Sequence, residues 1–214
     1  MSVFVTASPR ATLRRIPRLL LGLVLCGVGI ALMIAAELGL PPWDVLHQGI
    51  SRRTDIPIGT VGILVGFVLL LTWLPLRERY GVGTVINVIT IGLTIDVVLQ
   101  LLPEHPSAPV QWAFLLGGAF LLGPGAGLYI GVGLGAGPRD GLMTSLAARG
   151  WSIRRVRTAM ELAVLALGFL LGGTVGIGTL VFALTIGPNV HYFLERLSLE
   201  PISRIHPEPV LEVE

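Results

Sequence analysis

Long apolar runs and short polar breaks alternate along this chain at regular lengths. Apolar stretches cover Leu19–Ala36, then about Ile56–Leu76, Gly83–Leu102, Val110–Gly133, Thr158–Thr174 and Gly178–Arg196. Each is about twenty residues, or roughly 30 Å of helix at ~1.5 Å per residue, which matches the hydrocarbon core of a bilayer. Six transmembrane helices are therefore predicted. The breaks are residues 39–56, the turn Arg77-Glu78-Arg79, Pro103–Pro109 and residues 134–157. Proline at positions 103, 106 and 109 removes backbone donors and restricts the preceding residues, so that break cannot be helix interior. Within residues 39–56 a short interfacial helix is expected over Val45–Arg53. The first run follows Arg10, Arg14, Arg15 and Arg18 as a signal peptide would, but it exceeds the ~7–15 residues of a cleaved apolar region. It reads as a retained span.

Composition agrees with the pattern. The chain is 53% hydrophobic and 13% charged, with mean hydropathy +0.81, against roughly 25% charged in soluble domains. All fifteen basic residues are Arg. They stand at segment ends, which reads as orientation or anionic-lipid contact and not as nucleic-acid binding. An N-terminus in the cytoplasm puts Arg10–Arg18, Arg77, Arg79, Arg139–Arg157, Arg196 and Arg204 inside and only Arg52 and Arg53 outside. Both termini are thus expected in the cytoplasm of a bacterial inner-membrane protein. Trp43 and Trp112 fall on the outer side and Trp73 and Trp151 on the inner side, as aromatic belts would place them. Cys26 stands alone in an apolar run and reads as a small hydrophobe.

The chain also repeats itself. A shift of about ninety-five residues lays Gly81-Val-Gly-Thr…Thr-Ile-Gly92 over Gly176-Ile-Gly-Thr…Thr-Ile-Gly187. With a one-residue slip, Pro42-x-Asp44 lies over Pro138-x-Asp140. Ahead of each Pro-x-Asp runs a stripe of small residues: Gly27, Ala31, Ala35, Gly39 and Gly123, Gly127, Gly131, Gly135. Three spans per unit is an odd number, so the second unit must lie inverted. Inverted repeats about an axis in the membrane plane are the architecture of many secondary transporters. The predicted fold is an all-α polytopic membrane protein. It has six transmembrane helices as two inverted three-helix repeats, each with a Pro-x-Asp loop and short helix after its first span. One membrane domain is expected: a basic tail 1–16, repeats at 17–102 and 110–196, and a tail 197–214.

Gly39-Leu-Pro-Pro-Trp-Asp-Val-Leu-His-Gln-Gly-Ile-Ser51, Ile58-Gly-Thr-Val, Gly81-Val-Gly-Thr and Gly135-Ala-Gly-Pro-Arg-Asp-Gly-Leu-Met143 resemble the YczE/YyaS/YitT family of bacterial integral membrane proteins. The resemblance covers about residues 17–196. It implies a multi-spanning inner-membrane protein and supplies no catalytic residue and no substrate.

Candidate chemistry is sparse. Asp44 and Asp140 each follow Pro by two residues, where a carboxylate can cap a helix start or line a cavity at a broken helix. Arg139 can meet an anionic group, and its counterpart in the first repeat is Trp43. Glu37, Asp96 and His191 are ionisable groups in or beside spans, where such groups suggest a solute pathway. Asp96 and His191 hold equivalent repeat positions, as a proton-relay or substrate pair would. Glu161 can pair with Arg157 one turn away. Gly123, Gly127, Gly131, Gly135, Gly62 and Gly66 read as helix-packing positions. The motif Gly131-Val-Gly-Leu-Gly-Ala136 mimics a dinucleotide fingerprint but follows a membrane helix and not a strand. No nucleophile, metal or cofactor constellation is present in the sequence, so the reading is not an enzyme. The expected partners are the lipid bilayer and a small solute, with no nucleic acid and a homo-oligomer left open. The leading expectation is a small-solute transporter or exporter with its site between the repeats. The alternative is a membrane accessory or scaffold that docks a partner through the Arg-rich loop 139–157.

Overall fold

The computed structural model describes residues 9–76, 81–135, 137–147 and 149–199. They form eight helices: α1 (Pro9–Ala36), α2 (Pro42–Thr54), α3 (Ile58–Leu76), α4 (Val82–Leu99), α5 (Ala108–Gly131), α6 (Pro138–Ala147), α7 (Ile153–Leu170) and α8 (Ile177–Leu197). Among the described residues there is no strand. The order is long, short, long, long, given twice. The short helices follow the first long helix of each half, as the Pro-x-Asp pattern predicts.

Among the described residues four helices, α1, α4, α5 and α8, are long and apolar enough to cross a membrane. A fifth crossing arises if the bent pair α2–α3, at 114°, is one broken span. Four or five is fewer than the six apolar runs suggest. In α7 the cause is Arg154, Arg155, Arg157 and Glu161, which interrupt its apolar face. Large apolar side chains such as Leu71, Leu93, Phe120, Leu170 and Leu184 are exposed on the outside of the bundle, as lipid-facing positions would be. The chain is a membrane-embedded helical protein.

α1 and α5 are the central pair. A Cβ on Gly22 would lie 2.7 Å from the Gly125 carbonyl oxygen, and one on Gly118 would lie 2.5 Å from that of Gly29. Rising numbers on α1 meet falling numbers on α5, so the two run antiparallel with backbones in contact. Only glycine permits this approach. Around the pair, α4 packs on α1 and α8 on α5, while α2 packs on α7 and α6 on α3. The expected glycine stripe makes the α5–α8 contact. Gly123 faces Asn189, Gly127 faces Phe193 and Gly131 faces Ser198. Gly135 is not part of it, because α5 ends at Gly131 and Gly135 sits in the loop at φ 144° against Thr84 and Gly81. Gly66 packs on Val88, as expected of a packing position.

Polar groups in the bundle satisfy broken backbone. Pro124 stands inside α5 and has no N–H for the carbonyl of Phe120 one turn earlier. Asn189 of α8 replaces that donor, its Nδ2 donating to Phe120 at 3.0 Å and to Ala119 at 2.9 Å. Arginines do the same at helix ends. Arg15 donates to Val132 at 2.9 Å, Arg18 to Leu197, and Arg53 to Leu171 at 3.2 Å.

Three expectations need correction. The basic segment is not a tail up to residue 16. Helix α1 begins at Pro9, so the segment is helical, and its Arg15 and Arg18 reach the carbonyls of neighbouring helix ends. Trp73 and Trp43 are not belt residues, since both are buried, whereas Trp112 and Trp151 are exposed. Asp44 does not cap α2. The N-cap is Pro41, with no side-chain cap bond, and Asp44 falls inside the first turn. The turn Arg77–Arg79, residues 1–8 and residues 200–214 lie outside the described residues.

Asn189→Ala should lower stability by about 1 kcal/mol, the upper part of the range for interhelical hydrogen bonds in membrane proteins. In a Pro124→Ala background, where the helix supplies its own N–H, the same change should cost clearly less. A double-mutant cycle on thermal unfolding in detergent reads the difference.

Candidate functional site

The two Pro-x-Asp segments start helices for the same reason. Proline in the first turn has no N–H to leave unsatisfied and its φ is already helical. α2 therefore begins at Pro42 and α6 at Pro138, with Asp44 and Asp140 in the first turns where the helix dipole favours a carboxylate. Each short helix is held by a long helix of the other half. α2 rests on α7, where a Cβ at Gly168 would fall 2.5 Å from the Leu46 nitrogen. α6 rests on α3, where Trp73 Nε1 donates to the Pro138 carbonyl at 3.1 Å and the ring fills the space left by Gly141.

These supports bring the two helix starts to one cavity of about 220 Å³. Asp44 and His47 enter it from α2, and Pro138, Arg139 and Asp140 from α6. Gly62 of α3, Asn87 of α4 and Tyr129 of α5 complete its polar and open positions. Trp43 and Arg139, equivalent in the repeat, meet beside it. The guanidinium carbon of Arg139 lies 4.8 Å from the centroid of the Trp43 ring, a cation–π contact. A wider, open groove of about 710 Å³ lies between α5 and α8, but its lining is mostly apolar and belongs to the outer surface.

Asp44 is 3% exposed, His47 5% and Asn87 7%. Burying such groups in an apolar bundle is costly unless they are partnered. His47 Nδ1 is 3.3 Å from Asp44 Oδ1. The carboxylate can only accept, so Nδ1 carries the proton and Nε2 presents a lone pair. Nε2 is buried and has no partner. Gly62 of α3 faces the ring, and a Cβ there would make an ordinary contact with it, 3.4 Å from Nδ1.

Of the residues singled out in the sequence, Asp44, Asp140 and Arg139 come together. Glu37 does not join them. It is exposed beyond the end of α1, at φ 56°. Asp96 has other work: Oδ1 accepts from the Gly59 amide at 2.6 Å and Oδ2 from Thr60 Oγ1 at 2.8 Å, which caps the start of α3. His191 is exposed and lies 3.2 Å from Glu195, one turn on. Asp96 and His191 are equivalent in the repeat without facing each other. Arg157 donates to Glu161 at 3.0 Å, as their spacing predicts. The residues that sequence reasoning passed over are His47, Asn87 and Tyr129. His47 had a signal, since it follows Asp44 by three residues and so shares its helix face.

A family model described as "Family of unknown function (DUF6198)" matches residues 13–195. An uncharacterised protein of Haemophilus influenzae is 41% identical over 192 residues, covering 89% of this chain and 88% of its own length. The uncharacterised membrane protein YczE of Bacillus subtilis is 33% identical over 176 residues, 81% of this chain and 82% of its own. The uncharacterised protein YyaS of the same organism is 28% identical over 182 residues, 81% and 89%. No solved structure matches the chain.

Loss of a capping carboxylate typically costs about 1 kcal/mol, whereas an exposed i,i+4 pair is worth no more than about 0.5. Asp96→Ala should therefore lower the unfolding midpoint in detergent measurably, and His191→Gln should leave it in place.

Proposed function

The chain belongs to the family of unknown function DUF6198, and from that premise we propose that it is a small-solute transporter or exporter of the bacterial inner membrane. The site is the cavity between α2 and α6, and the observation that carries the reading is the convergence of both Pro-x-Asp helix starts on it. A duplication that only built a stable bundle would fill such a space with apolar side chains. Here it holds Asp44, His47, Asn87, Arg139 and Asp140.

The reading takes α1, α3, α4, α5, α7 and α8 as six spans in two inverted repeats, with both termini cytoplasmic. Paired contacts support it. Under a shift of ninety-five or ninety-six residues, the contact of Gly22 with Gly125 becomes that of Gly118 with Gly29. Likewise, Gly27 against Thr94 becomes Gly123 against Asn189. The bond from the Gly83 amide to the Leu134 carbonyl, 3.0 Å, becomes that from Gly178 to Leu38, 2.7 Å. Antiparallel α1 and α5 are what inversion demands.

One departure from symmetry suits a transporter. α3 and α4 are in close contact, where a Cβ on Gly59 would lie 2.1 Å from the Gly92 carbonyl oxygen. Gly187, the counterpart of Gly92, has open space around it. Inverted halves in unequal arrangements are the two ends of an alternating-access cycle, which the halves exchange by trading conformations. The scaffold reading is weaker because its Arg-rich loop is not one surface. Arg139 turns in to Trp43, which leaves Arg149, Arg154, Arg155 and Arg157 exposed, the last beside Glu161.

Proteoliposomes offered a whole metabolite extract, with mass spectrometry of the retained solutes, test the reading. Asp44→Asn and Gly62→Leu, which places a side chain in the cavity, should each cut flux of the retained solute at least about tenfold, roughly 1.4 kcal/mol. The double change Arg154→Gln and Arg155→Gln should leave flux intact. The opposite pattern supports docking through the Arg-rich face.

A further inference from the structure

Within the proposed site, two opposite charges border one cavity without meeting. We infer that the cavity binds a small zwitterion, with its ammonium group at Asp44 and its carboxylate at Arg139. The inference rests on the transporter reading and adds to it the solute class.

Three observations carry it. The first is a gap. Asp44 is buried and Arg139 half-buried, and both line the cavity. Among the described residues, however, they form no ion pair with each other. Asp44 Oδ1 is held 3.3 Å from His47 Nδ1, and the Arg139 guanidinium lies over the Trp43 ring, 4.8 Å from its centroid. These contacts, with the supports under α2 and α6, keep the two charges apart. The second is free bonding capacity. A carboxylate accepts on two oxygens, and a guanidinium carries five N–H donors. Among the described residues, the second oxygen of Asp44 and the donors of Arg139 are bonded to no protein group. Asn87, buried in the same wall, adds an amide that can accept from one end of a solute or donate to the other. The third is charge. With His47 neutral and its Nδ1–H donated to Asp44, the enclosed sum is Asp44 against Arg139, which is zero. Asp140 borders the cavity but is exposed and has a partner of its own, so it stands outside this balance.

The solute class follows from what each kind of molecule leaves unpaired. In an apolar bundle, an ion without its counter-charge is costly. A simple cation compensates Asp44 and leaves Arg139 unpaired, and a simple anion does the reverse. A neutral amide or alcohol compensates neither. A zwitterion compensates both and adds no net charge, and its planar carboxylate matches the guanidinium fork. At about 220 Å³ the cavity is smaller than the ~300–1,000 Å³ of sites for drug-sized ligands, so the skeleton between the two charges has only a few carbons.

The test is calorimetry on the purified full-length protein in detergent solution near pH 7. Glycine, β-alanine and 4-aminobutanoate serve as zwitterions of increasing charge separation. Ethylammonium, acetate and acetamide, of similar size, carry one charge or none. The expected result is saturable binding of at least one zwitterion, with each control weaker by at least about tenfold. Two variants then separate the ends of the site. Asp44→Asn leaves Arg139 as the uncompensated charge, so acetate should bind as well as the zwitterion. Arg139→Gln leaves Asp44, so ethylammonium should do so. A merely structural role for either residue would weaken every probe alike. The preference of the unaltered protein is read without any variant, so it decides the matter even if one fails to fold. No saturable binding of any zwitterion, a control bound as tightly as the best of them, or variants that weaken all probes equally would each overturn the inference. The transporter reading fails separately. A protein that ignores the zwitterions yet retains another solute from the metabolite extract loses only the solute class. One that binds a zwitterion in detergent but retains nothing in proteoliposomes keeps the site and loses transport.

Discussion

The structure depends on the contact between α1 and α5. In lipid, apolar side chains gain little by leaving their surroundings, so helices associate where their backbones can come close. Gly22, Gly29, Gly118 and Gly125 make that approach possible along two helices that run in opposite directions. Each outer helix is then placed by the central pair: α4 against α1 at Gly27, and α8 against α5 at Gly123, Gly127 and Gly131. A methyl group at any of these positions would push against backbone or against a packed side chain. The seam sets the distance between the two halves, and with it the width of the cavity between their short helices.

From that seam the polar chemistry follows. Each half lends a long helix to hold the short helix of the other, α7 under α2 and α3 under α6. The fine adjustment differs between halves. Trp73 over Gly141 places α6, whereas Gly168 beneath Val45 and Leu46 places α2, so the large and small partners are exchanged. Trp43 and Arg139 then meet across the interior. Asp44, which cannot cap its own helix, pairs with His47 instead, and the pair turns an unsatisfied nitrogen to the cavity.

Much of this was legible in the sequence, and the rest was not for physical reasons. Helix positions follow from apolar run length, and the short helices follow from proline and aspartate at a helix start. The stripe through Gly123, Gly127 and Gly131 reads directly because a four-residue spacing is nearly one helical turn. The Gly22–Gly29 and Gly118–Gly125 seam is spaced by seven and was hidden among twenty-eight glycines. Asp96 and His191 show where repeat symmetry misleads: equivalent sequence positions share a place in the fold, not a function. Asp96 caps α3 because α3 packs on α4, and His191 stays exposed because its helix pair is open. Trp43 and Trp73 do not declare their burial in the sequence, because an aromatic residue beside a polar break suits a membrane interface and a packed cavity wall equally well. The composition alone does not distinguish them.

The central claim is that two inverted halves meet at one cavity, and membrane sidedness tests it most directly. In a Cys26→Ala background, single cysteines replace Thr54, the last residue of α2, and Ser152, in the turn after α6; both native residues are exposed. A membrane-impermeant thiol reagent applied to intact cells should label the cysteine at position 54 and reach the one at position 152 only after the membrane is opened. Labelling of both from the same side would mean that the halves are not inverted, and the account would not stand.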